Sequence, residues 1–362
     1  MKAIRITGPG MMEVADVAMP EMGAGDVLLK IRYVGFCGSD LNTFRGGNSM
    51  VTYPRIPGHE ISATIEAKGG DVPDTLQIGQ IVTVNPYTNC GYCDSCRNGR
   101  VNACENNETL GVQRNGAMTE YASVPWQKII PADGLRLQDV ALVEPLSVGF
   151  HAVDRGQVTD SDTVMVIGCG MVGLGAVVRS VKRGAKVIAA DLDDDKLNLA
   201  KRLGATYTYN TSTEWKDLPT PSVVIEAVGA APTYQLAINR VGFTGRVVCI
   251  GYAKSDVMLN TSLFVKKELD VRGSRNATPK DFEAAIDYLR KLEGGKWCND
   301  EGVKGCNDEK VKGCNGEMVK GCNDEKGADC FISALVTPEQ AFEAMKQWDS
   351  NPGKIFRIIV EL

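Results

Sequence analysis

Histidine is nearly absent: the chain has two in 362 residues. Aromatic residues make up only 6%, and basic charge is in no excess, with 40 Lys+Arg against 45 Asp+Glu and a net charge of −5. A chain with that balance has little to track a phosphate backbone, so nucleic acid is not an expected partner. Long hydrophobic runs are missing too. The longest, 164–178, is interrupted by four glycines and falls short of a bilayer span, so no membrane partner is expected. The opening MKAIRITGPG lacks the apolar core of an export signal, and a cytoplasmic location is expected. What remains is 43% hydrophobic and 23% charged, the composition of a globular protein whose length suits two domains.

Cysteine, by contrast, is plentiful, with 12 residues in three groups. Cys37, Cys90, Cys93, Cys96 and Cys104 lie early. Cys169 and Cys249 sit in apolar, strand-like stretches. Cys298, Cys306, Cys314, Cys322 and Cys330 recur every eight residues. In a reducing compartment such clusters point to metal before disulfides.

The first 150 or so residues read as mostly β, with Val- and Ile-rich runs (DVLLKIRYVGF, ISATIEA, QIVTVNPY) broken by Gly and Pro. From about residue 155, strand and helix patterns alternate: TVMVIG, MVGLGAVVRSVKRG, AKVIAAD, DDDKLNLAKRLG, SVVIEAVG, GRVVCIGY. That alternation predicts a parallel sheet with crossover helices, hence an α/β chain. The expected divisions are 1–152, 153–290, an insertion at 291–330, and a return of 331–362 to the first domain.

Gly168-Cys169-Gly170-Met171-Val172-Gly173 follows a predicted strand and opens a helix, with Asp191 ending the next strand 23 residues after Gly168. Glycines there allow a tight turn and close approach of a pyrophosphate to free helix-start N–H groups. An acid at the next strand end accepts from the adenosine ribose and repels a 2′-phosphate, so NAD is favoured over NADP. Cys90, Cys93, Cys96 and Cys104, in a segment of about 88–106, can wrap one Zn²⁺ with no position left open, the structural type of site. An iron–sulfur cluster is the alternative ligand set. A second, open site is suggested by Cys37 in GFCGSD and His59 in PGHE, completed by a carboxylate from Glu60 or from Glu144 in EPLSVGFHA. A core histidine beside a structural cysteine is the plainer alternative, disfavoured here by the cofactor turn and cysteine lobe in the same chain.

Taken together, GFCGSD, PGHE, the four-cysteine lobe, EPLSVGFHA and GCGMVGLG resemble the zinc-dependent medium-chain alcohol and polyol dehydrogenases, over essentially the whole chain outside the eight-residue repeat. The resemblance implies a GroES-like β-rich catalytic domain, residues 1–152 and 331–362, and a Rossmann domain with a doubly wound parallel sheet. It also implies one catalytic and one structural Zn²⁺, NAD, a small polyol or sugar-acid substrate, and a homodimer or homotetramer. Within the family, EPLSVGFHA is similar to sorbitol-type enzymes. YPRIPGHEI, PADGL and the stretch 273–282 are similar to bacterial dehydrogenases of L-galactonate type. The family chemistry is acidification of a zinc-held hydroxyl and hydride transfer to NAD⁺. The resemblance gives Ser39 the first step of proton removal and makes Glu60, Glu144 or both zinc or water ligands. Where many relatives carry a proton-relaying histidine, this chain has Asn42, whose amide is no base. His151 reads as a neighbour of the metal shell or cofactor, and Arg275 with Asn276 as substrate contacts. Arg275 is equally readable as an exposed helix-start arginine, and Arg45 is the alternative grip for a carboxylate.

The repeat CNDEGVKG, CNDEKVKG, CNGEMVKG, CNDEKGAD is too poor in large apolar residues to build a core and reads as an expanded loop. Soft-metal binding or disulfides are its other readings, and a non-catalytic NAD-binding protein is the other reading of the whole chain. Deleting 296–329 is expected to leave NADH production intact while removing any metal bound beyond the zinc sites. Turnover and metal content, measured on the same preparation, check this.

Overall fold

The computed structural model describes residues 1–215, 217–293 and 327–362; the repeat up to residue 326 lies outside them. Two compact units result. One comprises Met1–Asn89, Asn106–Glu144 and Ala285–Leu362; the other comprises Cys90–Glu105 and Pro145–Ala284. The four-cysteine segment therefore groups with the later part of the chain, although it interrupts the earlier part in sequence.

In the first unit, the strand Lys2–Gly8 alternates buried and accessible residues and pairs antiparallel with Met11–Asp16. The main sheet has seven strands, centred on Asp26–Gly35. That strand pairs antiparallel with Glu60–Lys68, with Tyr121–Pro125 and with Ile358–Glu361. Ile81–Val84 and Ile129–Pro131 extend one side, and Ala334–Val336 lies parallel to Ile358–Glu361 at the other. Val27, Leu29, Ile31, Ile61, Ala63 and Ile65 are buried in the core these strands share. Register places Gly35 directly opposite Glu60. A β-carbon at Gly35 would stand 2.2 Å from Glu60 Oε2, so glycine there makes room for a buried carboxylate. The last residues of that strand and the first of its neighbour bring GFC and HE to one place.

In the second unit, six strands form an all-parallel sheet in the order Tyr207–Asn210, Lys186–Asp191, Thr163–Ile167, Val223–Glu226, Arg246–Cys249, Asp270–Gly273. This is the doubly wound order, reversing between the third and fourth of these. Val164, Val166, Val187, Ala189, Val223 and Ile225 are buried, as strands covered on both faces require. Gly170 caps the helix Met171–Lys182, which follows the first strand in sequence. Gly168 has φ +91°, and a β-carbon on Gly173 would lie 1.7 Å from the Gly168 carbonyl oxygen. Glycine at 173 is therefore a steric necessity, whereas a β-carbon at Gly170 meets nothing within 4 Å. Gly173→Ala is expected to cost about 2 kcal/mol through forced backbone movement, and Gly170→Ala less than about 1 kcal/mol. Thermal unfolding midpoints of the two variants, compared with the parent, check the contrast.

Candidate active site

Cys37 precedes the short helix Gly38–Phe44, and its N–H donates to Asp40 Oδ2 at 2.8 Å. His59 and Glu60 lie where Glu60–Lys68 begins, just after Gly58, whose φ of +102° and whose contacts with Val34 and Met118 leave no space for a side chain. The ligand atoms of Cys37, His59 and Glu60 lie within 4.8 Å of one another. His59 and Glu60 are buried, at 5% and 0% exposure. Arg357 reaches this cluster from the far end of the chain: its Nη1 lies 3.1 Å from Glu60 Oε1 and also donates to the Phe36 carbonyl.

The electrostatics are those of donors crowded out of water. Burial pushes the Cys37 thiol up, but the charge and hydrogen bond of His59, and the charge of Arg357, bring it below its ordinary value. Burial pulls His59 down, yet Cys37, Asp40 and Glu144 together hold it well above its ordinary value. Glu60 stands well above the usual carboxylate range because burial outweighs the attraction of Arg357. Asp40 is raised for the same first reason, burial. His59 Nδ1, Glu60 Oε2, Ser39 Oγ and Asp40 Oδ1 are buried without a hydrogen-bond partner. One sulfur, one imidazole and one carboxylate with unmet lone pairs are a donor set that fits Zn²⁺.

Glu144, near the start of the helix Val143–Arg155, is not within that three-residue group. Its Oε1 accepts from the Tyr87 hydroxyl, and its charge is felt at His59 and Glu60. Burial, and then Glu144, push the Tyr87 hydroxyl well above its ordinary value. Tyr87, Asp40 and Arg357 were not singled out by sequence. Asp40 does sit in the GFCGSD motif, and a buried acid beside a metal-type cysteine is the signal that could have found it.

The ligand atoms of Cys90, Cys93, Cys96 and Cys104 likewise lie within 4.8 Å of one another. The Cys90 N–H donates to Cys104 Sγ at 3.3 Å, and the Cys93 N–H to Cys90 Sγ at 3.4 Å. The Ser95 hydroxyl and nearby backbone N–H groups hold Cys93 down at about 5. Burial, then the neighbouring sulfurs, push Cys96 up to about 11. Four such sulfurs ionise together only around a cation, and all four positions of a tetrahedral ion are filled.

The glycine turn and Asp191 are held as one piece. Asp191 Oδ2 accepts the Cys169 N–H at 2.6 Å, and Oδ1 accepts those of Leu192 and Asp193 at 2.8 and 3.0 Å. Met171 is buried and Val172 half-buried at the start of the helix. Glu226, at the end of the neighbouring strand, shapes the adjoining turn. Its Oε1 accepts from the Val228 and Gly229 N–H groups and the Thr233 hydroxyl at 2.7–2.9 Å. Val228 in turn closes over Gly168, where a β-carbon would come 2.5 Å from Val228 Cγ2.

Arg275 and Asn276, the expected substrate contacts, each bond the cysteine segment of their own unit. Arg275 Nη1 donates to the Cys104 carbonyl at 3.2 Å, and Asn276 Nδ2 to the Asn102 carbonyl at 2.9 Å. Both side chains thus reach the cysteine lobe. His151 is 3.0 Å from Asn102 on one side and 3.0 Å from Asp281 on the other. Arg45 is paired with Asp349.

Residues 23–134 match the family described as alcohol dehydrogenase GroES-like domain, and residues 172–291 the family described as zinc-binding dehydrogenase. L-galactonate-5-dehydrogenase of Escherichia coli K12 is 37% identical over 273 residues, 73% of this chain and 80% of that one. Among solved structures, galactitol-1-phosphate dehydrogenase from Escherichia coli superposes with a TM-score of 0.81 at 27% identity, covering 100% of both chains. RspB from E. coli CFT073, solved with NADH, gives 0.82 at 26% identity and covers 100% of this chain and 99% of that one. With this agreement added to a mixed zinc-type donor set, a closed four-cysteine lobe and a doubly wound cofactor sheet, the chain belongs to the zinc-dependent medium-chain alcohol dehydrogenases, enzymes that work with zinc and NAD.

Proposed function

We propose that the chain oxidises a secondary alcohol of a small sugar acid or polyol, with L-galactonate as the first substrate to test. The observation that carries the reaction class is the convergence of Cys37, His59 and Glu60, with His59 Nδ1 and Glu60 Oε2 buried and unpartnered. The sugar-acid reading is supported by the resemblance of 273–282 and by the relative named for L-galactonate.

In this reading Cys37, His59 and Glu60 hold the catalytic zinc, with Glu144 as exchangeable ligand or water holder, and Cys90, Cys93, Cys96 and Cys104 hold the structural zinc. When bound, the open zinc supplies acidification of an alcohol, and NAD⁺ supplies the hydride acceptor. Ser39 Oγ, buried and without a partner, is free to take a hydrogen bond from the substrate hydroxyl and start its proton outward. Asn42 contributes no base. The helix start at Gly170, Met171, Val172 and Gly173 offers N–H groups to the pyrophosphate, and Gly168 opens the turn. Asp191 keeps one acceptor position, on Oδ2, for the adenosine ribose and repels a 2′-phosphate. Arg357 Nη1, 3.1 Å from Glu60 Oε1, would keep the carboxyl group in place beside the metal position. Arg275 Nη1 and Asn276 Nδ2 bind the cysteine lobe, and Arg275 stays in the proposal as the grip for a substrate carboxylate through its other donors.

A homodimer or homotetramer is part of the proposal. Asp270–Gly273 is an edge strand with Val271 exposed, and Met258 and Val265 are exposed nearby in sequence. No helix among the described residues is long and apolar enough to cross a membrane. The cysteines named among the described residues are free thiols, which suits the cytoplasm proposed here.

NADH production over L-galactonate, sorbitol, hexitol phosphates and L-threonine tests the substrate. L-galactonate is expected to show the highest kcat/KM, and stronger turnover on an uncharged polyol would reject that choice. Cys37→Ser is expected to lower kcat by at least about a hundredfold, with loss of the catalytic zinc but retention of lobe zinc and NADH binding. Metal content and NADH fluorescence check this, and undiminished turnover would remove Cys37 from the metal site.

A further inference from the structure

The lobe that carries the structural zinc does more in this chain than fold on itself. Its residue Asn102 is 4% exposed and serves as a hub. Asn102 Nδ2 donates to the Arg275 carbonyl at 2.8 Å and lies 3.0 Å from His151 Nε2, while its own carbonyl accepts Asn276 Nδ2 at 2.9 Å. Arg275 adds a bond to the Cys104 carbonyl. On the other side of His151, Nδ1 meets Asp281 Oδ2, and that same oxygen accepts the Thr278 N–H and hydroxyl. Both ends of the segment 275–278 are thereby tied down, one by the cysteine lobe and one by the His151–Asp281 pair.

Two features mark the segment. Asn276 has φ +56°, in the left-handed region. Ser274 Oγ, in a residue 7% exposed, is buried without a partner. The segment also occupies a particular place. It leaves the C-terminal end of Asp270–Gly273, in the half of the sheet beyond the order reversal. In a doubly wound sheet the dinucleotide lies across the carboxyl ends of the strands, one mononucleotide over each half. Asp191 marks the adenosine half, so 274–278 borders the nicotinamide half.

We propose that the four-cysteine lobe is a buttress for the nicotinamide side of the cofactor site. Asn102 and Asn276 are positioning residues that fix the backbone of 274–278 in the form that receives the ring. The proposal rests on the NAD reading above and adds a task for the lobe that its closed metal shell does not suggest.

The zinc-loaded protein is titrated with NADH and with ADP-ribose, which keeps the pyrophosphate and both riboses but lacks nicotinamide. Asn102→Ala, which removes the hydrogen bond to Arg275, is expected to weaken NADH about tenfold, as one lost hydrogen bond allows, and to leave ADP-ribose within about twofold. Asn276→Ala is expected to lose more NADH affinity than Asn276→Gly, because only glycine keeps the left-handed φ without strain. Unchanged NADH affinity in these variants overturns the buttress, as does equal weakening of both nucleotides. A parent protein that binds neither nucleotide overturns the NAD reading itself. Should Asn102→Ala shed the lobe zinc or fail to fold, the ordering of the two Asn276 variants decides.

Discussion

A carboxylate that meets no water organises the first unit. Glu60 is fully buried at the start of its strand, and Arg357 stands against it. Burying a charge is costly unless it is paired or binds a metal. Around it the chain makes matching concessions. Gly35 gives up its side chain opposite, Gly58 adopts a backbone form that frees the approach of His59, and Arg357 binds Phe36 as well as Glu60. Cys37, His59 and Glu60 then form a set whose charges are poorly satisfied among themselves. Such a set has a strong preference for a divalent ion and for an electron-rich oxygen beside it.

The cofactor unit solves a different problem, the holding of a long anion by neutral groups. Its turn is fixed by contacts between main-chain atoms, and Asp191, the acid proposed for the ribose, is fixed by three N–H groups of the same turn and its own loop. Glu226 performs a similar service for the opposite wall. Preorganisation of this kind lowers the ordering cost when a flexible dinucleotide binds.

How much of this was legible depended on chain distance. The cysteine lobe and the glycine turn are local, so spacing alone carried their chemistry. Cys37 and His59 were legible because histidine is so scarce that the motif around His59 stood out. Arg357 was not, because it follows Phe36 by 321 residues and reaches it through pairing of Ile358–Glu361 with Asp26–Gly35, which no local pattern encodes. Arg275 and Asn276 were expected as substrate contacts from the resemblance of 273–282 and from the carboxylate-gripping shape of a guanidinium, and neither says which protein neighbour their side chains also meet. The neighbour is the cysteine lobe, grouped by folding with a sheet whose first strand begins at Thr163.

That grouping has a consequence for biosynthesis. The lobe leaves the ribosome well before its platform, and the bond from Arg275 to Cys104 spans 171 residues. At ordinary translation speeds the nascent cysteines wait about ten to thirty seconds for their docking surface. For that interval four thiols sit on an unfinished chain, open to oxidation or to a competing soft ion. A zinc ion bound in that interval would close the lobe before its platform arrives.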